Sequence, residues 1–64
     1  MSLQKSDRFL RLPEVLYKTG IARSTIYLWI SEDKFPKQVS LGERSAAWLE
    51  SEINEWMEER LKRR

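Results

Sequence analysis

The stretch TGIARSTIYLWI, residues 19–30, decides the fold that this sequence predicts. Gly20 is typical of the residue that ends a helix, and Ile26 and Ile30, four residues apart, form the apolar face of a second helix. A connection of about three residues that contains glycine is typical of two helices that cross steeply, as in a helix-turn-helix. The second helix is therefore predicted over about residues 22–33.

Further elements are predicted on both sides of this pair. Pro13 fits the first turn of a short helix that ends before Gly20, because its missing N–H costs nothing there. After Pro36, the stretch KQVSL alternates as a strand does, residues 41–44 can turn, and SAAWL can return as a second strand. Apolar residues then recur at three- and four-residue spacings, which predicts a third helix from about residue 49 to the end. The predicted core comprises Ile21, Ile26, Ile30, Trp48, Ile53 and Trp56.

Length and composition exclude several classes of protein. Sixty-four residues make one small domain, and the chain has no cysteine and no histidine, which removes disulfides, thiolate metal sites and the commonest general base. No apolar stretch approaches the roughly 20 residues of a membrane span, and the segment MSLQKSD has no apolar signal-peptide region. We expect a cytoplasmic protein with no cofactor, no metal and no small-molecule substrate.

Charge is distributed unevenly along the chain, although the formal net charge is only +2. Residues 8–44 contain seven basic and four acidic residues, whereas residues 45–59 contain five glutamates and no basic residue. A basic first part followed by an acidic second part is a common feature of nucleic-acid-binding domains.

The second helix carries an unusual outward face. If Ile26 and Ile30 face the core, the helical period places Ser24 and Leu28 opposite them, with Tyr27 and Thr25 on the two flanks. Arg23, at the start, can donate two hydrogen bonds to guanine, Ser and Thr can bond bases or phosphates, Tyr can reach a phosphate, and Leu can touch a thymine methyl group. The other interpretation is that the serine and threonine are ordinary first-turn residues and the tyrosine covers the edge of the core.

The hairpin favours the DNA interpretation. Lys37 lies just before its first strand and Arg44 lies at its tip, so both cations would stand beside the second helix. Such a wing reaches the DNA backbone or the minor groove, whose negative potential attracts arginine. The alternative is that these cations only keep an edge hairpin soluble.

Four segments taken together resemble the AlpA family of small phage and prophage regulators: RLPEV, TGIARSTIY, FPKQVSLGERSAAWLESEI and the closing EW. The family is similar to the excisionases and to the DNA-binding heads of MerR-type regulators, and the resemblance covers about residues 8–58. It implies a winged helix-turn-helix that is mainly α, with three helices and a two-stranded wing. Residues 8–64 would form this domain, and residues 1–7 a flexible N-terminal segment.

The resemblance also implies a function and site residues. The protein would bind double-stranded DNA and regulate transcription, associating with the nucleoid when bound. Carried over by position, Arg23, Ser24 and Tyr27 would contact DNA from the helix, and Lys37 and Arg44 from the wing region. Leu28 departs from the family pattern, in which a basic or polar residue is frequent at this position.

The sequence leaves other interpretations open. One alternative function is that of an excisionase-like recombination directionality factor. Another is that of a small protein-interaction module that uses Leu28, Tyr27 and the third helix. The three tryptophans can stack on bases or belong to the core, and the basic C-terminal tail can touch phosphates or be solvated. Glu55 and Glu59 are four residues apart, which is the spacing of a candidate catalytic pair of carboxylates. We nevertheless expect no enzyme, because nothing in the sequence predicts a pocket. A protein this small can also bind cooperatively, next to further copies of itself, on repeated sites.

Overall fold

The computed structural model describes residues 7–63. Its elements are β1 (Phe9–Leu10), α1 (Leu12–Thr19), α2 (Arg23–Ser31), β2 (Val39–Gly42), β3 (Ser45–Leu49) and α3 (Glu50–Lys62). The three predicted helices and the predicted hairpin are thereby confirmed. Residues 1–6 of the predicted flexible segment, and Arg64 of the basic tail, lie outside the described residues.

The sheet has one strand more than the sequence predicted. Its three strands are antiparallel in the order β1-β3-β2, and β1 pairs Phe9 with Leu49 and Leu10 with Trp48. The stretch FLRL alternates apolar and basic residues, which is compatible with an extended segment, but it is too short to identify a strand, so only the pairing with β3 establishes β1. The strand β3 is therefore central, and the predicted hairpin forms one side of the sheet.

The chain around β1 also holds the start of α3. The carbonyl oxygen of Arg8 accepts a hydrogen bond of 2.9 Å from the backbone N–H of Glu50. The carboxylate of Asp7 accepts bonds from the backbone N–H of Ser51, at 3.0 Å, and from its hydroxyl, at 2.9 Å. The first N–H groups of a helix have no partner within the helix. Asp7 therefore acts as a cap that comes from a distant part of the chain.

The core lies between the sheet and the three helices. Its buried side chains come from β1, β3, the three helices and the segment between α2 and β2: Leu10, Val15, Ile26, Phe35, Trp48 and Ile53. The predicted burial is confirmed for Ile26, Trp48 and Ile53, but Ile21, Ile30 and Trp56 are only half-buried against the edge of this cluster. A domain of this size has too little interior to enclose every apolar side chain.

The first helix is fixed at both ends. The side-chain carboxylate of Glu14 accepts a hydrogen bond of 2.9 Å from the backbone N–H of Arg11, which is one half of a capping box. Gly20, with a left-handed φ of 73°, donates its N–H to the carbonyl oxygen of Leu16 at 2.8 Å. A glycine adopts this conformation at little cost, and the turn it makes places the start of α2. Within residues 7–63, no helix is both long and apolar enough to cross a membrane.

Candidate nucleic-acid interface

One buried side chain fixes the rotation of α2. Ile26 is completely buried in the core, whereas Tyr27 and Leu28, which follow it, are 43% and 53% exposed. Ser24 is exposed and Thr25 is half-buried on the flank. The outward face predicted from the helical period is the one that the structure exposes.

The N-terminal end of α2 is open. Arg23 is the first residue of the helix and is exposed, and Ala22 before it has no side chain that could accept a hydrogen bond. Unpaired N–H groups at such an end attract anions, phosphate included. The first turn of α2 therefore presents a guanidinium, a hydroxyl and the positive end of a helix dipole together.

The C-terminal end of α2 turns the chain sharply towards the wing. The N–H of Lys34 donates to the carbonyl oxygen of Trp29 at 2.7 Å, and the N–H of Asp33 donates to that of Ile30 at 3.1 Å. These bonds form a Schellman motif, in which Asp33 takes the left-handed position with a φ of 60°. The helix therefore ends at Ser31, two residues before the predicted end at residue 33, because Asp33 is not helical.

Two tryptophans clamp the segment that connects α2 to the wing. The indole N–H of Trp48 donates to the carbonyl oxygen of Pro36 at 2.9 Å, and that of Trp56 donates to the carbonyl oxygen of Lys34 at 2.8 Å. Between these two carbonyls, Phe35 is buried and meets the ring of Trp56 edge-on at 4.8 Å between ring centroids. The connecting segment is thus held at both of its ends and in its middle.

The aromatic cluster also ties α2 to α3. The rings of Trp29 and Trp56 lie 6.0 Å apart, and the guanidinium of Arg60 covers both rings, at 5.4 Å and 4.8 Å from their centroids. Contacts of this geometry are favourable cation–π interactions. The tryptophans therefore serve the fold, in the packing role that was one of the two interpretations of the sequence. The contact of Arg60 with the tryptophan rings was not predicted from the sequence, although the four-residue spacing of Arg60 from Trp56 on a helix indicates such a contact.

The wing carries a bulge and a strained arginine. Ser40 pairs with Ala46 and Gly42 pairs with Ser45, which leaves Leu41 as the extra residue of the bulge. The turn is shorter than the predicted residues 41–44, since Leu41 and Gly42 belong to β2. Arg44, in the turn, has a φ of 59°, a region that residues with a β-carbon rarely adopt. Its exposed side chain extends from the tip of the hairpin.

The cations of this region fall into two groups. Within residues 7–63, neither Arg23 nor Arg44 lies within ion-pair distance of a carboxylate. In contrast, the ammonium group of Lys37 lies 3.3 Å from the carboxylate of Asp33, and that of Lys34 lies 3.5 Å from the carboxylate of Glu32. The two arginines are therefore available to an external anion, and the two lysines already have an internal partner.

The structure thus distributes the seven predicted site residues over three places. Arg23, Ser24, Thr25, Tyr27 and Leu28 share α2, Lys37 lies in the connecting segment, and Arg44 lies at the wing tip. An open groove of about 880 Å³ is lined by both the connecting segment and α3, and Glu55 and Glu59 line it beside the cations Lys34, Lys37 and Arg60. Glu55 and Glu59 are both exposed, as expected of the polar face of an amphipathic helix.

Comparison with known proteins identifies related sequences. Residues 8–61 match the model of a family described as "Prophage CP4-57 regulatory protein (AlpA)". The chain is 44% identical over 68 residues to the DNA-binding transcriptional activator AlpA of Escherichia coli (strain K12), and this alignment covers 97% of each chain. It is 53% identical over 55 residues to the uncharacterized protein ORF88 of Enterobacteria phage P4, covering 86% of this chain but only 62% of that relative. No solved structure is significantly similar to the chain.

Proposed function

Because the chain belongs to the AlpA family of prophage regulatory proteins, we propose that it binds double-stranded DNA sequence-specifically and regulates transcription. In this proposal the N-terminal half of α2 enters the major groove, and the wing lies on the backbone or in the minor groove. The function is not enzymatic, requires no cofactor and takes place in the cytoplasm. The name of the Escherichia coli relative, a DNA-binding transcriptional activator that aligns over nearly its whole length, supports the proposal.

The observation that carries the proposal is the placement of Arg23 and Arg44, neither of which pairs with a carboxylate within residues 7–63. Arg23 begins α2, whose outward face is open, and Arg44 lies at the tip of the wing. The clamped segment between the helix and the wing fixes the position of one element relative to the other. Arginine donates two parallel hydrogen bonds to guanine in the major groove, which discriminates by about 1–3 kcal/mol against other bases. At a wing tip, arginine suits either a phosphate or a narrow minor groove.

The backbone of Arg44 strengthens this argument. A left-handed conformation costs a residue with a β-carbon about 1 kcal/mol relative to glycine. Glycine would therefore stabilise this turn better than arginine does. Strain of this kind is common at binding sites, where the side chain has a use that the fold alone does not require.

The remaining residues of α2 are assigned by their chemistry. Ser24 and Tyr27 are exposed hydroxyl donors beside the open helix end, and we assign them to phosphates, which fix register without reading sequence. Thr25 and Leu28 are the next candidates for base contacts after Arg23, since a hydroxyl can bond a base edge and a leucine can touch a thymine methyl group. Lys37 is assigned to a phosphate beside the wing.

The direct test is selection of bound duplexes from a random pool of double-stranded DNA, followed by affinity measurements on the winner at several salt concentrations. We expect a defined sequence motif and an affinity that falls steeply with salt, because each phosphate contact releases counterions. Binding that selects no motif would contradict sequence-specific recognition. Absence of salt-dependent binding to any duplex would contradict the whole proposal.

A second candidate function is favoured by one observation. Leu28 is a large apolar side chain that is 53% exposed in the middle of the outward face of α2, where a protein partner could cover it. A protein-interaction module would bind such a partner tightly and bind DNA weakly at all salt concentrations. The salt series therefore separates the two candidates.

A further inference from the structure

The ion pair between Asp33 and Lys37 joins the end of α2 to the start of the wing region. The two side chains are four residues apart, their charged atoms lie 3.3 Å from one another, and they are 80% and 71% exposed. Lys37 is one of the cations that the proposed function assigns to a DNA phosphate. In the free protein its ammonium group is already held by a carboxylate, which is an anion with oxygen acceptors like those of a phosphate.

The charge of Asp33 is unfavourable for the local structure. It occupies the left-handed position of the Schellman motif, with a φ of 60°, where glycine is the preferred residue and asparagine the usual second choice. It also places a negative charge at the C-terminal end of α2, where the helix dipole already concentrates negative charge. Aspartate tolerates the left-handed conformation, but the uncharged asparagine would end the helix as well, so neither helix termination nor the dipole requires a carboxylate at this position.

The pair is also a weak source of stability. Exposed ion pairs contribute little to folding, because water and salt screen them and two long side chains lose freedom. The stabilisation that the pair provides is therefore small. The two costs of Asp33, its left-handed backbone and its charge at the end of the helix dipole, are small as well. A weak and exposed pair is one that an approaching polyanion can exchange readily.

We propose that Asp33 is an internal competitor for DNA, whose carboxylate occupies Lys37 in the free protein and must be displaced by a backbone phosphate on binding. This inference rests on the proposed function, since it concerns how strongly the same surface binds DNA. The contact that Asp33 weakens is sequence-independent, so its effect is to lower binding to all duplexes alike. Arg23 and Arg44, which have no such competitor within residues 7–63, retain their full contribution.

The test uses the full chain and labelled duplexes of random sequence, with affinity measured by fluorescence anisotropy over a series of salt concentrations. The main variant is Asp33→Asn, because asparagine tolerates the left-handed conformation and removes only the charge. We expect its affinity to rise about two- to fivefold, the range of an exposed ion pair. The dependence of affinity on salt should steepen by up to about one unit, as for one additional phosphate contact.

Two further variants make the test specific. Lys37→Met alone should weaken binding, and in the double variant Asp33→Asn/Lys37→Met the gain from Asp33→Asn should disappear. The matched control is Glu58→Gln, which removes an exposed carboxylate of α3 that pairs with no cation within residues 7–63. Thermal unfolding of each variant confirms that it is folded.

The outcomes separate the inference from the proposed function. Equal affinities of Asp33→Asn and Glu58→Gln, with normal binding by the original chain, would overturn the inference and leave DNA binding intact. A gain that persists in the double variant would also overturn it, since the carboxylate would then act by general repulsion. Failure of the original chain to bind any duplex would instead defeat the proposed function, and the inference with it.

Discussion

The indole N–H of Trp56 in α3 donates a 2.8 Å hydrogen bond to the carbonyl oxygen of Lys34, directly after the turn that ends α2. Together with the matching bond from Trp48 to Pro36, it fixes the connecting segment between the helix and the wing. The angle and separation of the two proposed DNA-contacting elements thus depend on aromatic side chains that are not among the proposed DNA contacts. Such supporting contacts are what keep a binding site in its productive geometry.

Trp56→Phe should destabilise the domain while keeping an aromatic ring at this position. The phenyl ring preserves contact with Phe35 but cannot donate to the carbonyl of Lys34, and a lost hydrogen bond costs about 1 kcal/mol. In a domain of this size, that change lowers the melting temperature by about 4–8 °C. The matched control is Tyr17→Phe, which removes a hydroxyl from a side chain that is 93% exposed and should leave melting unchanged. Equal melting temperatures for the two variants would show that the bond is not stabilising.

Acid should weaken the fold partly through Glu14. The hydrogen bond from the N–H of Arg11, and then the charge of Arg8, lower the pKa of this carboxyl below its ordinary value of 4.5. A carboxyl with a lowered pKa in the folded state stabilises the fold above its unfolded pKa. That contribution disappears as the pH falls through the folded pKa. The loss therefore begins near the ordinary carboxyl range and is complete only at more acidic pH.

The variant Glu14→Gln tests this assignment, because glutamine keeps an oxygen that can accept the bond from Arg11 but does not titrate. Melting temperatures measured from neutral to strongly acidic pH should decline less steeply for this variant than for the original chain. Glu58→Gln, at an exposed position of α3, controls for the removal of one carboxylate from a helix. A Glu14→Gln curve parallel to that of the original chain would remove Glu14 from the acid response.

Arg44→Gly should separate stability from DNA binding. Glycine accepts the φ of 59° without strain, so the free energy of unfolding should stay equal or rise by up to about 1 kcal/mol. DNA affinity should fall nevertheless, and its salt dependence should decrease by about one unit if the side chain meets a phosphate. If the side chain enters a narrow minor groove, the loss should depend on flanking A·T content. A stable Arg44→Gly protein that binds every sequence with the original affinity would exclude the wing from DNA binding.

Much of the fold follows from short-range signals in the sequence. Gly20 and Pro36 mark the ends of helical structure, and the four-residue spacing of Ile26 and Ile30 predicts which face of α2 is buried. These signals are local, because turn residues and the helical period can be recognised from neighbouring residues alone. The rotation of α2, and with it the exposure of Arg23 and Tyr27, could therefore be predicted from the amino-acid sequence alone.

The features that local signals cannot supply are all tertiary. The strand β1 exists only because β3 offers it a free edge, and the cap that Asp7 provides comes from a residue 44 positions away from Ser51. The bulge at Leu41 and the left-handed Arg44 depend on the register of the whole hairpin. Half-burial of Ile30 and Trp56, where burial was predicted, reflects how little interior a domain of this size possesses.

The candidate site shows the same division. Composition and spacing predicted which residues lie on the outward face of α2. They did not predict that Asp33 would pair with Lys37 while Arg23 and Arg44 pair with no carboxylate within residues 7–63. An ion pair between residues four apart is expected only on a continuous helix, and here the chain has already left the helix at Asp33. Whether these lysines have a carboxylate partner therefore depends on the path that the chain takes after α2, which the hydrogen bonds from Trp48 and Trp56 hold.

The central claim is that Arg23 reads a base pair from the start of α2. The measurement is the selection of bound duplexes from a random pool, repeated with Arg23→Ala and with Tyr27→Phe after both are shown to be folded. Arg23→Ala should lose its preference at one base pair of the selected motif, a discrimination of about 1–3 kcal/mol, whereas Tyr27→Phe should weaken all sites by a similar factor. If Arg23→Ala instead keeps the original motif and loses affinity evenly, Arg23 holds a phosphate and the base-reading claim is wrong.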